Sequence, residues 1–243
     1  MNAILLFSTA STLAILGFGF LLGLKHATEA DHLAAVSTMV SERKSLWSSA
    51  IVGGLWGLGH TISLFVAGVF VLLLNFQISE KTERILEFCV GIMLLILGLN
   101  VLRKFLKGGE LHFHKHDHNA HEHAHPHTHI HEDEPHTHHG FSFNPRALII
   151  GMIHGLAGSA ALMLLLIPTI ESKTIGLIYI IIFGIGSIGG MMIMSFLVGL
   201  PFHFTAFRAG NLNRILQGIA ALVSIVIGLT IIYEKGVSEG LFS

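Results

Sequence analysis

The sequence predicts an all-α polytopic membrane protein, with six transmembrane helices in two inverted halves joined by a histidine-rich connection. Three observations lead to this fold class. The 243 residues are 52% hydrophobic and only 12% charged, and the mean hydropathy is +0.71. Several apolar runs reach the roughly 18 residues that a transmembrane helix needs. Finally, short patterns in the first half of the chain recur in the second half.

Six apolar segments define the predicted spans. They are 3–24, 50–74, 84–106, 146–168, 175–199 and 212–233. Continuation of the first span through the next polar segment to residue 40 is left open. The first 24 residues have no basic region and no clear cleavage site, which favours a retained span over a signal peptide. The predicted units are therefore a first half (1–106), a connection (107–144) and a second half (145–243).

Lysine and arginine are distributed unevenly over the predicted connections. The connections after spans 1, 3 and 5, with their flanks, carry ten of the 14 basic residues, and the opposite side carries four. Because basic residues accumulate on the cytoplasmic side, we expect both termini outside and residues 107–144 in the cytoplasm. The predicted location is the cytoplasmic membrane.

Two short patterns repeat at nearly the same offset. The segment Gly23-Leu-Lys-His26 aligns with Gly151-Met-Ile-His154, 128 positions later. Glu83-Arg-Ile-Leu-Glu87 aligns with Asn213-Arg-Ile-Leu-Gln217, 130 positions later. Since each half has three spans, an odd number, the second half must cross in the opposite sense. Inverted repeats of this kind hold their substrate near the midplane, between paired interrupted helices.

The segment 23–36 places five ionisable residues in apolar surroundings: Lys25, His26, Glu29, Asp31 and His32. Such groups cost roughly 2.5–3.5 kcal/mol each at membrane depth and therefore indicate an ion or substrate path. The alternative is an interfacial helix end whose polar residues face water. Two imidazoles and a carboxylate suit nickel, cobalt or zinc. Because His26 and His32 lie roughly 240° apart on a regular helix, a shared ion requires a break around 28–30.

Two more histidines are expected within the membrane. His60 lies in the glycine-rich second span, where it could instead bond a neighbouring helix carbonyl. His154 begins a glycine-rich stretch of span 4 that predicts a kink, and Ser159 there aligns with Asp31 as a weaker candidate. His203, after Pro201, is expected at an interface. The predicted metal ligands are His26, Asp31, His32, His60 and His154.

Residues 112–139 contain thirteen histidines, alternating with polar or acidic residues. This composition is typical of disordered, metal-binding segments. Neutral imidazoles would hold divalent ions loosely, and protons would compete with the ions as the pH falls. Storage, sensing and delivery of metal are all open roles for this segment.

Two motifs resemble the nickel/cobalt transporter family. His26-x4-Asp31-His32 resembles the family's HX4DH signature, and Leu58-Gly-His60-Thr-Ile-Ser63 resembles its second motif, LGHS. Long members have eight spans and acidic motifs in later helices, whereas this chain has six predicted spans and Gly-Met-Ile-His-Gly-Leu-Ala-Gly-Ser at 151–159. It is thus similar to the short branch of urease-associated permeases and histidine-loop efflux proteins. The resemblance implies secondary transport of Ni2+ or Co2+, with the HX4DH residues required for metal recognition.

The main alternative is an exporter of amino acids or other small solutes with related topology, the histidine loop then being only a metal buffer or sensor. An enzyme is not expected: HExxH is absent from the motif, and the single Cys89 excludes a paired-cysteine redox carrier. No prosthetic group is expected, with Ni2+ or Co2+ as the transported substrate. The expected partners are a divalent metal ion and the lipid bilayer. The near-zero net charge gives no case for nucleic acid, and a metallochaperone, a homo-oligomer and the direction of transport stay open.

Overall fold

The structure is a computed structural model that describes residues 2–43, 45–74, 79–106, 112–118, 121–127, 145–157, 172–208 and 210–241. Within these ranges the chain forms seven α-helices: α1 (Asn2–His26), α2 (Ala30–Val40), α3 (Leu46–Leu74), α4 (Glu80–Leu106), α5 (Pro145–Ala157), α6 (Lys173–Arg208) and α7 (Gly210–Tyr233). A π-helical segment, Glu234–Ser238, continues α7. Two strands, β1 (His112–His118) and β2 (His121–His127), lie between α4 and α5.

Four helices, α3, α4, α6 and α7, are each long and apolar enough to cross a membrane. Helices α1 and α2 meet the same criterion together, as a pair bent by 55°. Five of the predicted spans therefore correspond to these elements. The predicted span 146–168 is observed as α5 up to Ala157, and its remainder lies outside the described residues. The chain is a multi-pass helical membrane protein.

The surface of the bundle is apolar, as a lipid environment requires. Phe18, Phe70, Ile96 and Val226 are each at least half exposed, and many other large apolar side chains share this outer surface. Apolar exposure on this scale is unusual for a soluble monomer. In the interior, by contrast, residues such as Trp56 are fully buried together with several serines and histidines. A set of buried polar groups is thus enclosed by apolar side chains, which also cover the outer surface.

Glycines allow the helices of the two halves to approach closely. A Cβ atom on Gly23 of α1 would collide with the carbonyl oxygen of Phe183 on α6. In the same way, a Cβ atom on Gly151 of α5 would collide with the carbonyl oxygen of Trp56 on α3. Small residues at such contacts are how membrane helices gain close van der Waals packing. These contacts fix α1 against α6, and α5 against α3.

Helices α4 and α7 form a second close pair. Gly98 of α4 faces the carbonyl oxygen of Ala221, and Gly228 of α7 faces the carbonyl oxygen of Gly91. Between them the buried hydroxyl of Ser224 donates a hydrogen bond of 2.9 Å to a carbonyl oxygen on α4. The pair is packed by backbone-to-backbone contact between Gly91 and Gly98 of α4 and residues 221–228 of α7.

Part of the histidine-rich connection differs from its predicted disorder. Strands β1 and β2 pair antiparallel, with His112 opposite His127 and His118 opposite His121. The physical reason lies in the sequence, because histidine alternates with other residues in both segments and a period of two is the period of a strand. Composition predicted metal binding and disorder here, whereas the alternation favours a hairpin.

Candidate metal centre

The break between α1 and α2 is made by local hydrogen bonds. The Thr28 N–H donates to the Lys25 carbonyl (2.8 Å) and the Glu29 N–H donates to the His26 carbonyl (3.1 Å), which closes a tight turn at the end of α1. The Thr28 hydroxyl also donates to the Lys25 carbonyl, at 2.6 Å. Glu29 then adopts an extended conformation (φ −65°, ψ 150°), and its carbonyl accepts the first helical bond of α2, from Leu33. The break falls where the sequence predicted it.

This break brings together two histidines that a straight helix would separate. The ring centroids of His26 and His32 lie 4.3 Å apart. His60 of α3 joins them, with its Nε2 atom 3.1 Å from His26 Nε2. His154 of α5 approaches from the other side, with its ring centroid 4.2 Å from that of His32. Each of the four histidines is at most 1% exposed.

Asp31 connects the two sides of this cluster. Its Oδ1 atom accepts from the backbone N–H of His32 (2.8 Å) and lies 2.9 Å from His32 Nδ1. Its Oδ2 atom lies 3.0 Å from His154 Nε2. An ionised carboxylate can only accept hydrogen bonds, so its two oxygens are suited to imidazole N–H groups of His32 and His154. The structure thus places all five predicted ligands in one cluster.

The potential ligand atoms form two groups of three. One contains only nitrogen atoms, from His26, His32 and His60. The other contains Asp31, His32 and His154 and therefore mixes oxygen with nitrogen. Within each group the ligand atoms lie within 4.8 Å of one another. This separation and this choice of donors suit a first-row divalent ion such as nickel, cobalt or zinc.

Aromatic side chains enclose the cluster. The ring of Trp56 lies 5.2 Å from His32 and 5.5 Å from His154, and Phe183 of α6 lies 5.7 Å from His26. Within the part of the chain that the structure describes, several buried nitrogens of the cluster have no hydrogen-bond partner, among them His32 Nε2 and His60 Nδ1. Buried polar atoms are normally satisfied, so unpartnered imidazole nitrogens within one cluster are consistent with an ion as a missing partner.

Glu29 was part of the polar segment but not of the predicted ligand set. Its Oε1 atom lies 3.0 Å from His26 Nδ1, although the N–H direction does not satisfy hydrogen-bond geometry. Glu29 is 40% exposed, so it borders the cluster rather than lying within it. A carboxylate beside the outer nitrogen of a histidine is a common way of orienting a metal ligand. The sequence signal that could have identified Glu29 as a neighbour of His26 is its position three residues later in the chain.

Other residues take positions that sequence patterns did not reveal. Ser187 of α6 is fully buried, and its hydroxyl has no partner among the described residues. It follows Phe183 by one helical turn, on the surface that packs against Gly23. His203 lies on α6 beside Phe204 and takes no part in the cluster. Ser159, the weaker candidate, lies outside the described residues.

Taken together, the fold and the cluster define a class: a multi-pass helical membrane protein with a candidate metal centre buried between its helices. Comparison with known proteins then identifies the family. The chain is 41% identical to the urease accessory protein UreH of Bacillus sp. (strain TB-90) over 230 residues, which covers 95% of each protein. The chain belongs to the UreH family. The resemblance to the short nickel-permease branch of the nickel/cobalt transporters is thereby confirmed.

More distant relatives match only in part. The chloroplast protein FOR GROWTH AND FERTILITY 2 of Arabidopsis thaliana is 27% identical over 219 residues, covering 89% of this chain and 55% of the relative. The high-affinity nickel transport protein of Cupriavidus necator is 34% identical over 71 residues, covering 29% of this chain and 20% of the relative. No family model matches the chain. No solved structure matches it either.

Proposed function

We propose that this protein is a secondary transporter that moves Ni2+ or Co2+ across the cytoplasmic membrane through the cluster of His26, Asp31, His32, His60 and His154. The observation that carries the proposal is the burial of four imidazoles beside a partly buried carboxylate, in two overlapping groups of three ligand atoms, inside a bundle of apolar helices. Burying these groups without a ligand would be costly. The family supports the same substrate, because UreH is a urease accessory protein and a more distant relative is a nickel transport protein.

The donor set explains how the ion would cross. A divalent ion leaving water must exchange its hydration shell for several protein ligands, and the cluster offers four imidazoles and two carboxylate oxygens. Nickel and cobalt accept nitrogen and oxygen donors of this kind. His60 lies near the middle of the 29-residue helix α3, which corresponds to the centre of the bilayer. The ion would therefore be held at the midplane, where alternating-access transporters bind their substrates.

An inverted repeat of three plus three spans would provide the alternating access. Reciprocal contacts support it: Gly186 of α6 packs against the carbonyl of Phe20, and Gly59 of α3 packs against the carbonyl of Leu148. Gly186 and Gly59 are 127 positions apart, and Phe20 and Leu148 are 128 apart, close to the offset of the repeated Gly-x-x-His patterns. The same reciprocity holds for the Gly98 and Gly228 contacts. Two halves related in this way could rock against each other around the cluster.

The proposed orientation follows from the basic residues. Both termini would lie outside, and residues 107–144 would lie in the cytoplasm, where their histidines could collect metal at the cytoplasmic side of the path. This connection would be a buffer or a delivery segment rather than part of the path itself. The expectation that the protein is not an enzyme stays a prediction.

Metal accumulation in cells tests the proposal. Cells that lack their own nickel and cobalt transporters would express the protein, and their metal content would be measured by mass spectrometry. We expect a change in nickel or cobalt content for the wild-type protein, and none for His26→Ala, Asp31→Ala or His32→Ala at equal membrane levels. His203→Gln, a histidine outside the cluster, is the matched control. Wild-type transport by all three cluster variants would refute the site.

The same cells address the alternative function. An exporter of amino acids or other small solutes would leave metal content unchanged and alter the efflux of an organic solute. Unchanged nickel and cobalt content in cells with abundant wild-type protein would exclude the proposed substrate.

A further inference from the structure

We infer that the cluster contains two overlapping metal sites that share His32, and that one ion passes between them by exchanging its other ligands around this residue. The inference rests on the proposed function and specifies how the ion moves within the same site. The first site is the nitrogen-only group of His26, His32 and His60, and the second is the mixed group of Asp31, His32 and His154.

His32 occupies the centre of the cluster. Its ring centroid lies 4.3 Å from that of His26 and 4.2 Å from that of His154, whereas the rings of His60 and His154 are 6.0 Å apart. His32 is also completely buried. Of the four histidines, it alone belongs to both groups of potential ligand atoms.

The two nitrogens of the His32 ring have different surroundings. Nδ1 lies 2.9 Å from Asp31 Oδ1, on the side of the mixed group. Nε2 is buried and has no hydrogen-bond partner in the described part of the chain. Since either nitrogen of a neutral imidazole can bind a metal, one side chain can contribute a ligand to each site. An ion that changes sites therefore keeps His32 as a neighbour throughout.

The cavity on one side of the bundle gives the two sites an order. It has a volume of about 160 Å3 and lies between the end of α4 and the beginning of α5. Val52 and Ile150 are among its lining residues. Ile150 precedes His154 by about one helical turn, and Val52 precedes His60 by about two turns. The mixed site is therefore nearer to this cavity, and the nitrogen-only site is nearer to the opposite side.

The overlap also limits occupancy. Two divalent ions that share one imidazole would lie only a few ångströms apart in surroundings of low polarity, and their repulsion would be strong. Each site supplies three protein ligands, which is few enough for stepwise exchange. The expected state is one ion per chain, bound at one of the two sites at a time.

The test is to measure ions that the full-length protein retains during a chase. Purified protein in nanodiscs is loaded with radioactive nickel and then challenged with excess unlabelled nickel, so that loosely bound ions on the histidine-rich connection exchange quickly. We expect the wild-type protein to retain one slowly exchanging ion per chain. His60→Gln and His154→Gln should each still retain one ion, because each leaves one site intact, while transport in proteoliposomes falls by roughly 10-fold or more.

His32→Gln should retain no ion, because it damages both sites, and His32→Asn provides a second variant of this position. His203→Gln should behave as wild type, and gel filtration of every variant checks that it is folded. The relay would be overturned if the wild-type protein retained two ions or no ion. It would also be overturned if His60→Gln or His154→Gln lost the ion as completely as His32→Gln. Absence of both nickel and cobalt transport by wild-type proteoliposomes would instead refute the proposed function, so the two failures are distinguishable.

Discussion

Replacing Asp31 with asparagine should weaken metal binding through one identifiable contact. The carboxylate Oδ1 atom faces both the backbone N–H and Nδ1 of His32, and Oδ2 faces Nε2 of His154 at 3.0 Å. An asparagine can keep the first pair of contacts with its carbonyl oxygen. Its amide group would then face His154 with a donor, where the native residue has an acceptor. The substitution therefore disturbs His154 while leaving His32 in place.

The size of the effect follows from that single lost contact. A hydrogen bond to a charged group contributes about 1.5–3 kcal/mol. At 1.4 kcal/mol per factor of ten, this corresponds to roughly a 10- to 150-fold loss of nickel affinity at the site of Asp31, His32 and His154. Asp31→Ala removes every contact of the carboxylate and leaves two buried imidazole groups without an acceptor. It should also lower the free energy of unfolding by about 1–3 kcal/mol for each group left unsatisfied.

Nickel titration calorimetry of the purified protein would measure the affinity, and thermal unfolding of the same samples would measure the stability. Glu42→Gln is the matched control, because Glu42 pairs with Lys104 at an exposed position away from the cluster. We expect Glu42→Gln to leave the affinity of the tight site unchanged. In the His60→Gln background, where only the site of Asp31, His32 and His154 is intact, a folded protein with Asp31→Asn that binds nickel within about twofold of its parent would refute the assignment of Asp31.

Three further predictions concern the fold and the loop. Gly151→Ala should reduce the yield of folded protein, because its Cβ would collide with the Trp56 carbonyl. The same change at Gly17, which has open space around it, should be tolerated. Size-exclusion profiles of the two variants measure the difference. Deletion of residues 112–139 should preserve transport but lower the number of weakly bound nickel ions, as measured by equilibrium dialysis. Complete loss of transport at normal expression would instead place this segment in the transport path. The C-terminus should lie outside the cytoplasm, so a reporter fused after it should show its activity there. Reporter activity in the cytoplasm would reverse the proposed orientation.

The sequence predicted five of the spans and the residues of the cluster. Apolar runs predicted the helices, because hydropathy is a property of consecutive residues and a membrane sets their length. The break after His26 could also be predicted, since His26 and His32 cannot share a face of a straight helix. Ionisable residues at membrane depth are rare enough to indicate function by themselves. All five predicted ligands consequently lie in the observed cluster.

Only the tertiary structure decided how these residues are arranged. The spans are apolar on nearly every side, so helical periodicity does not reveal which face of a helix meets which neighbour. That choice is made by close contacts such as Gly23 with Phe183 and Gly151 with Trp56, which join residues far apart in the chain. The central position of His32 follows from them, because contacts of this kind set the rotation of each helix and the depth at which its side chains meet.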